Sequence, residues 1–165
     1  MKDMVDHPAH YEKGDGHIEC IDLLDFLTEH YKGIFAMEIG QFKYLYRAGS
    51  KNEEGLSSKE KTIQDVKKLV WYMNDFYKRL LQLLDKEKFD ECECSFLYAE
   101  HKPWNQNIVN ILEREFSYDK PEIIQEDIKK VVNIAYRITK VGEIKRIIEL
   151  LEIIIKKLEN PVVYT

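Results

Sequence analysis

An all-α fold is what this chain predicts: a helical bundle of about six helices, arranged as two three-helix repeats packed pseudo-symmetrically. Three observations carry that expectation. Apolar residues recur at three-and-four spacing through most of the sequence, with no strand-like alternation. Only seven Gly and four Pro interrupt the 165 residues, which leaves room for long regular elements. The two halves also align with each other, helix on helix.

Residues 1–17 are polar, contain Pro8, Gly14 and Gly16, and read as a loop. A first helix begins at Ile18, with Ile21, Leu24, Leu27 and Tyr31 on one face and Gly33 as its stop. A second runs from about Ile34 to Ala48 and ends at Gly49, a natural C-terminal signal. Lys51 to Ser58 is a polar loop, and Ser57 or Ser58 caps a long third helix reaching about Asp85. Its buried stripe is Ile63, Val66, Leu69, Val70 and Met73. Residues 86–102 form a charged connector. Three further helices span about Trp104–Phe116, Pro121–Thr139 and Gly142–Glu159, with Pro121 in a first turn, where its missing N–H costs nothing.

The repeat is legible residue by residue. Asp65 through Leu80 pairs without gaps against Glu143 through Leu158, acid on acid, base on base and apolar on apolar. Upstream, Tyr46-Arg47 pairs with Tyr136-Arg137 and Phe26 with Phe116, at a constant offset of 90. The loop before the last helix is about a dozen residues shorter in the second copy. Trp71 and Tyr72 become Glu149 and Leu150, so one copy keeps polar and aromatic equipment that the other lacks. Residues 1–88 are therefore expected to form a ligand-binding unit. Residues 89–165 form a degenerate repeat serving as scaffold, in the place of a neighbouring subunit.

Composition narrows the function. With 44% hydrophobic and 33% charged residues, the chain is of ordinary globular type. A net charge of −5 argues against general nucleic-acid binding, which needs a basic surplus, but leaves room for a local basic pocket. No apolar run approaches the roughly 20 residues of a membrane span, and no apolar leader opens the chain. Cys20, Cys92 and Cys94 are sparse and odd in number, which fits free thiols in a reducing compartment. Glycine-rich phosphate loops and dinucleotide turns are missing, so any nucleotide chemistry must be carried on helices.

Lys43 and Arg47 stand at i and i+4 on one helix face, and Lys51 follows just beyond. Three cations this close suit a multivalent anion such as phosphate. The alternative is a solvated basic face answered by Glu38 or Glu54. On the third helix Asp65 and Lys68 share a face, followed by Trp71 and Tyr72. The aspartate suits Mg²⁺ or a proton, and an aromatic suits a base. The alternatives are an Asp65–Lys68 pair and a core tryptophan. His7, His10 and Tyr11 cluster in the first loop and could contact a ligand, hold a metal or simply anchor the loop.

Taken as an ordered series, His7-Pro8-x-His10-Tyr11, Ile18-Glu19-Cys20-Ile21-Asp22, Gly40-Gln41-x-Lys43-Tyr44-Leu45-x-Arg47-Ala48-Gly49-x-Lys51 and Asp65-x-x-Lys68-x-x-Trp71-Tyr72 make a specific pattern over about residues 5–80. It resembles a family of small bacteriophage domains that includes the nucleotide kinase of short-tailed coliphages and the SaV-type early proteins of lactococcal phages. The resemblance implies a phage-encoded, cytoplasmic protein that phosphorylates deoxynucleoside monophosphates without a phosphate loop. It implies pocket contacts from His7, His10 and Tyr11, and phosphate contacts from Lys43, Arg47 and Lys51. It further implies a catalytic or Mg²⁺-binding Asp65, with Lys68, Trp71 and Tyr72 in the ligand site. A homo-oligomer is expected. Two rival readings are a non-catalytic binder that sequesters a nucleotide signal in an anti-defence role, and an all-α nucleotide pyrophosphohydrolase using Glu19, Glu38, Gln41 and Asp65.

Overall fold

Seven α helices and one short 3₁₀ turn make up the regular structure in a computed structural model, which describes residues 16–29, 31–50, 55–83 and 104–160. The helices are α1 Cys20–Thr28, α2 Gly33–Ile39, α3 Lys43–Arg47, α4 Ser58–Leu83, α5 Gln106–Ser117, α6 Glu122–Tyr136 and α7 Gly142–Glu159. No strand occurs among the described residues, so the all-α expectation holds. No described helix is long and apolar enough to cross a membrane.

The expected second helix is two helices. A 3₁₀ turn over Gly40–Phe42 separates α2 from α3, and its first residue is a glycine, which weakens a helix interior by about 1 kcal/mol relative to alanine. At the offset of 90 the corresponding residue is Lys130, and α6 runs through it unbroken. Other boundaries move for local reasons. The first helix stops at Thr28, and Tyr31 lies in the following turn, its side chain buried. Asn105 caps α5 by accepting from the Asn107 and Ile108 amides, which leaves Trp104 outside the helix. Pro121 is the N-cap of α6 rather than part of its first turn. That helix ends at Tyr136, because the Glu143 carboxylate captures the Thr139 and Lys140 amides at 2.6 and 3.2 Å. Ser57 caps the long helix as expected, its hydroxyl accepting from the Glu60 amide at 3.1 Å.

The helix bounds follow the repeat: α1 corresponds to α5, α2–α3 to α6, and α4 to α7. Contacts between the halves follow a two-fold pattern. Two pairings join a helix to its own counterpart, α1 with α5 and α4 with α7. Two are exchanged, α1 with α6 and α3 with α5. The shared core contains Tyr46 and Tyr136, both fully buried at equivalent positions. The Tyr136 hydroxyl reaches Glu29 at 3.1 Å, and burial together with that bond pushes its pKa up to about 12.

Two polar ties cross this joint in reciprocal fashion. Tyr31, in the turn after α1, donates its hydroxyl to the Ala135 carbonyl at 2.8 Å and accepts from the Ile138 amide at 2.5 Å. Lys120, in the turn after α5, donates its ammonium to the Tyr46 carbonyl at 2.9 Å. Each unit's first turn thus grips the end of the second helix of the other unit. Removing the phenol oxygen strands a buried amide and a buried carbonyl, a loss of about 1–3 kcal/mol. Tyr31→Phe is expected to lower the unfolding free energy measured in urea by that amount while unfolding stays a single transition. Two separate transitions in the wild-type protein would show that the units do not share a core.

Candidate functional site

The polar side chains singled out in the first unit converge on one carboxylate and one aromatic ring. Asp65 sits in the second turn of α4 and is fully buried. Its Oδ2 accepts from the Gly49 amide at 3.4 Å. Around Oδ1 stand Lys61 Nζ at 3.5 Å, Arg47 Nη2 at 3.7 Å and Lys68 Nζ at 3.9 Å. Oδ1 itself makes no hydrogen bond. A buried carboxylate is costly unless answered, and here ion pairing with three cations, from α3 and from both sides of Asp65 on α4, answers it.

The turn that brings α3 to α4 depends on Gly49. Its φ of +82° is one that L side chains rarely adopt, and a Cβ there would lie 2.4 Å from Thr62 Oγ1. Ser50 closes the same turn by donating its amide to the Arg47 carbonyl at 2.7 Å. The second unit repeats the device with a longer acid: Glu143, the counterpart of Asp65, accepts from the Thr139 amide, the counterpart of Gly49.

Tyr44 supplies the surface above this buried pair. The Arg47 guanidinium lies 4.7 Å from its ring centroid, with Lys43 Nζ at 5.3 Å and Lys68 Nζ at 5.7 Å, all within cation–π range. Tyr72 stacks parallel on Tyr44 at 5.8 Å, and Trp71 meets Tyr72 edge-on at 5.1 Å. The Tyr72 phenol is held above its ordinary pKa, chiefly by the adjacent Tyr44 and the hydrogen bond between them. Trp71 is 63% exposed, which decides against a core role. A cationic face with two stacked phenols and an open indole can take an anion bearing a flat ring.

Of the expected site residues, Lys43, Arg47, Asp65, Lys68, Trp71 and Tyr72 are therefore brought together. His7, His10, Tyr11 and Lys51 lie outside the described residues. Lys61 and Tyr44 join the cluster unannounced. The Asp65–Lys68 pair expected as an alternative is present, as one of three. Glu38, expected to answer the basic face, is instead engaged by Arg79, which also holds Asp75 at 3.0 Å.

Asp65 as arranged does not fit an Mg²⁺ ion. Three cations already surround the carboxylate, and among the described residues no three His, Cys, Asp or Glu side chains gather into a metal-binding group. The four-residue set suggested for a pyrophosphohydrolase meets the same obstacle, since Glu38 and Asp65 are both tied to cations.

The second unit has lost this face. Asn133, Ile134, Arg146 and Leu150 are the counterparts of Lys43, Tyr44, Lys68 and Tyr72, and they line a recess of about 290 Å³ in which both tyrosines have become aliphatic. The chain thus combines a duplicated helical bundle with one basic, aromatic face. A model for a family described as a protein of unknown function (DUF3310) matches residues 5–74, so the similarity covers the unit that carries this face and stops within α4. No curated protein and no solved structure matches the chain.

Replacing the buried charge tests its role. Asp65→Asn keeps the shape but leaves Arg47 and Lys61 without their shared counterion, which in comparable buried pairs costs about 3–5 kcal/mol. Chemical denaturation should register a loss of that order. An unchanged midpoint would mean that the carboxylate does not organise the cations.

Proposed function

We propose that the protein binds a nucleotide on the Tyr44 face and acts as a deoxynucleoside monophosphate kinase-like phosphotransferase that uses no phosphate loop. The observation that carries the reading is the gathering of Lys43, Arg47 and Lys68 around the Tyr44 ring, beside stacked Tyr72 and exposed Trp71. Phosphoryl transfer asks mainly for positioning and charge neutralisation, which such a face supplies. In this reading the lysines and arginine hold phosphate oxygens, and Trp71 stacks on the base. Asp65 is a positioning residue that fixes Arg47 and Lys68 from below. His7, His10, Tyr11 and Lys51 are assigned to the same pocket on the strength of the ordered motif series. Any Mg²⁺ would enter on the phosphates of the donor.

The sequestering binder is the second reading, favoured by one observation: Asp65, the acid of the cluster among the described residues, is tied to cations rather than open to a reacting group. Both readings share the ligand face and differ in turnover.

A panel of nucleoside mono-, di- and triphosphates and cyclic dinucleotides, with and without Mg²⁺, tests them by thermal shift. A deoxynucleoside monophosphate at about 100 times its Kd should stabilise the fold by about 2.7 kcal/mol. Trp71→Ala should weaken binding by about 1–3 kcal/mol through lost stacking, and Lys68→Gln should weaken it while flattening its salt dependence. Formation of diphosphate from monophosphate and a triphosphate donor separates the kinase from the binder. Stabilisation by no nucleotide at all would overturn both.

A further inference from the structure

A second basic site lies where the two units meet, away from the ring of Tyr44. The α3–α4 turn (Ala48, Gly49, Ser50), the start of α4, the α5–α6 turn and the last turn of α7 enclose an open cleft of about 600 Å³. That volume falls in the range of small-molecule sites and far exceeds a single phosphate. Among the described residues three lysines line it, Lys59, Lys120 and Lys157, with the hydroxyl-bearing Ser50, Ser58 and Thr62 and one carboxylate, Asp119.

The lysines come from both units and two of them are held in place. Lys120 is 5% exposed, and its ammonium is fixed by the Tyr46 carbonyl and by Asp119 at 3.1 Å. Asp127, which does not line the cleft, holds Lys157 at 2.7 Å. Lys59 stands exposed at the start of α4. A further sign of construction is Asp119 itself, the one non-glycine residue with positive φ among the described residues, at 61°. That conformation is uncommon outside glycine, and it occurs in the turn that delivers Lys120. The reciprocal joint is built differently: there the gripping side chain is the buried phenol of Tyr31, packed on Phe35 at 4.4 Å. Where one joint carries an aromatic ring, the other carries a cation beside a cleft.

We propose that this cleft is a binding site for a phosphate chain, assembled from both units and centred on Lys59, Lys120 and Lys157. A single phosphate would leave most of the volume empty. A chain of two or three phosphates can reach lysines contributed by three separate elements, and compact ammonium groups suit its dispersed charge. The same chemistry is offered by an inorganic polyphosphate and by the tail of a nucleoside triphosphate. The proposal does not depend on the nucleotide reading of the Tyr44 face.

The test uses the full chain, with inorganic tripolyphosphate and adenosine triphosphate as separate probes in calorimetric titration. Both should bind the wild-type protein if the phosphate chain alone is recognised, whereas binding of the nucleotide alone, weakened by Lys59→Gln and kept in Lys68→Gln, would assign the cleft to a triphosphate tail. Lys59→Gln, at an exposed position, should weaken binding roughly three- to tenfold, the loss of one screened phosphate contact. Ser50→Trp, also exposed, should obstruct the cleft and weaken binding at least roughly tenfold while leaving the unfolding midpoint unchanged. Lys68→Gln should leave tripolyphosphate affinity intact. Absence of binding by both probes, or binding indifferent to Lys59→Gln and Ser50→Trp, overturns the proposal. Loss through Lys68→Gln alone also overturns it, and leaves the Tyr44 face standing as the anion site.

Discussion

The buried carboxylate of Asp65 is the constraint on which the first unit depends. A full negative charge with no exposure can persist only among cations and amides, and that requirement draws Arg47, Lys61 and Lys68 toward one oxygen and the Gly49 amide toward the other. Meeting it fixes the angle at which α3 turns into α4. Arg47 and Lys68 are then positioned over Tyr44, rather than extending freely into water. The basic face is in this sense a consequence of burying an acid, and the aromatic stack of Tyr44 on Tyr72 completes a surface that is both cationic and flat.

The correspondence of the two halves accounts for why, among the described residues, such a face occurs once. Both units tie the turn before their last helix with an acid at the equivalent position, Asp65 or Glu143, so the architectural part of the device is common to both. What differs lies above it. Tyr44 and Tyr72 give way to Ile134 and Leu150, and Trp71 to Glu149, so the second unit keeps the brace without the aromatic platform. The reciprocal grips of Tyr31 and Lys120 hold the units as a two-fold pair within one chain. The two halves thereby pack on each other within one chain, α1 against α5 and α4 against α7.

Helical periodicity and the repeat were enough to read the fold class and the helix order, because long amphipathic helices write their buried face directly into residue spacing. The break at Gly40–Phe42 was not readable, since the apolar pattern runs on through it and only the glycine hints at a tighter turn. Tyr44 stood in the ordered motif series without a role, and its place beside three cations comes from the packing of α3 on α4. Lys61 was hidden within the charged run Ser58-Lys59-Glu60-Lys61, where it reads as solvated although it is buried against Asp65. Lys43 with Arg47, and Asp65 with Lys68, Trp71 and Tyr72, were legible as two sets because helical spacing puts each set close together; that the two sets meet comes from the packing of α3 on α4. Lys120 and Lys157 could not be, because they reach the α3–α4 turn only through the packing of one unit on the other.

The indole N–H resonances of the two tryptophans offer the most direct measurement, because Trp71 belongs to the Tyr44 face and Trp104 packs on Tyr136 in the second unit. Titration with a deoxynucleoside monophosphate, followed by heteronuclear NMR, should shift the Trp71 signal progressively and leave Trp104 in place. Equal shifts of both, or a moving Trp104 beside an unmoved Trp71, would contradict a nucleotide site organised by Asp65 and Tyr44.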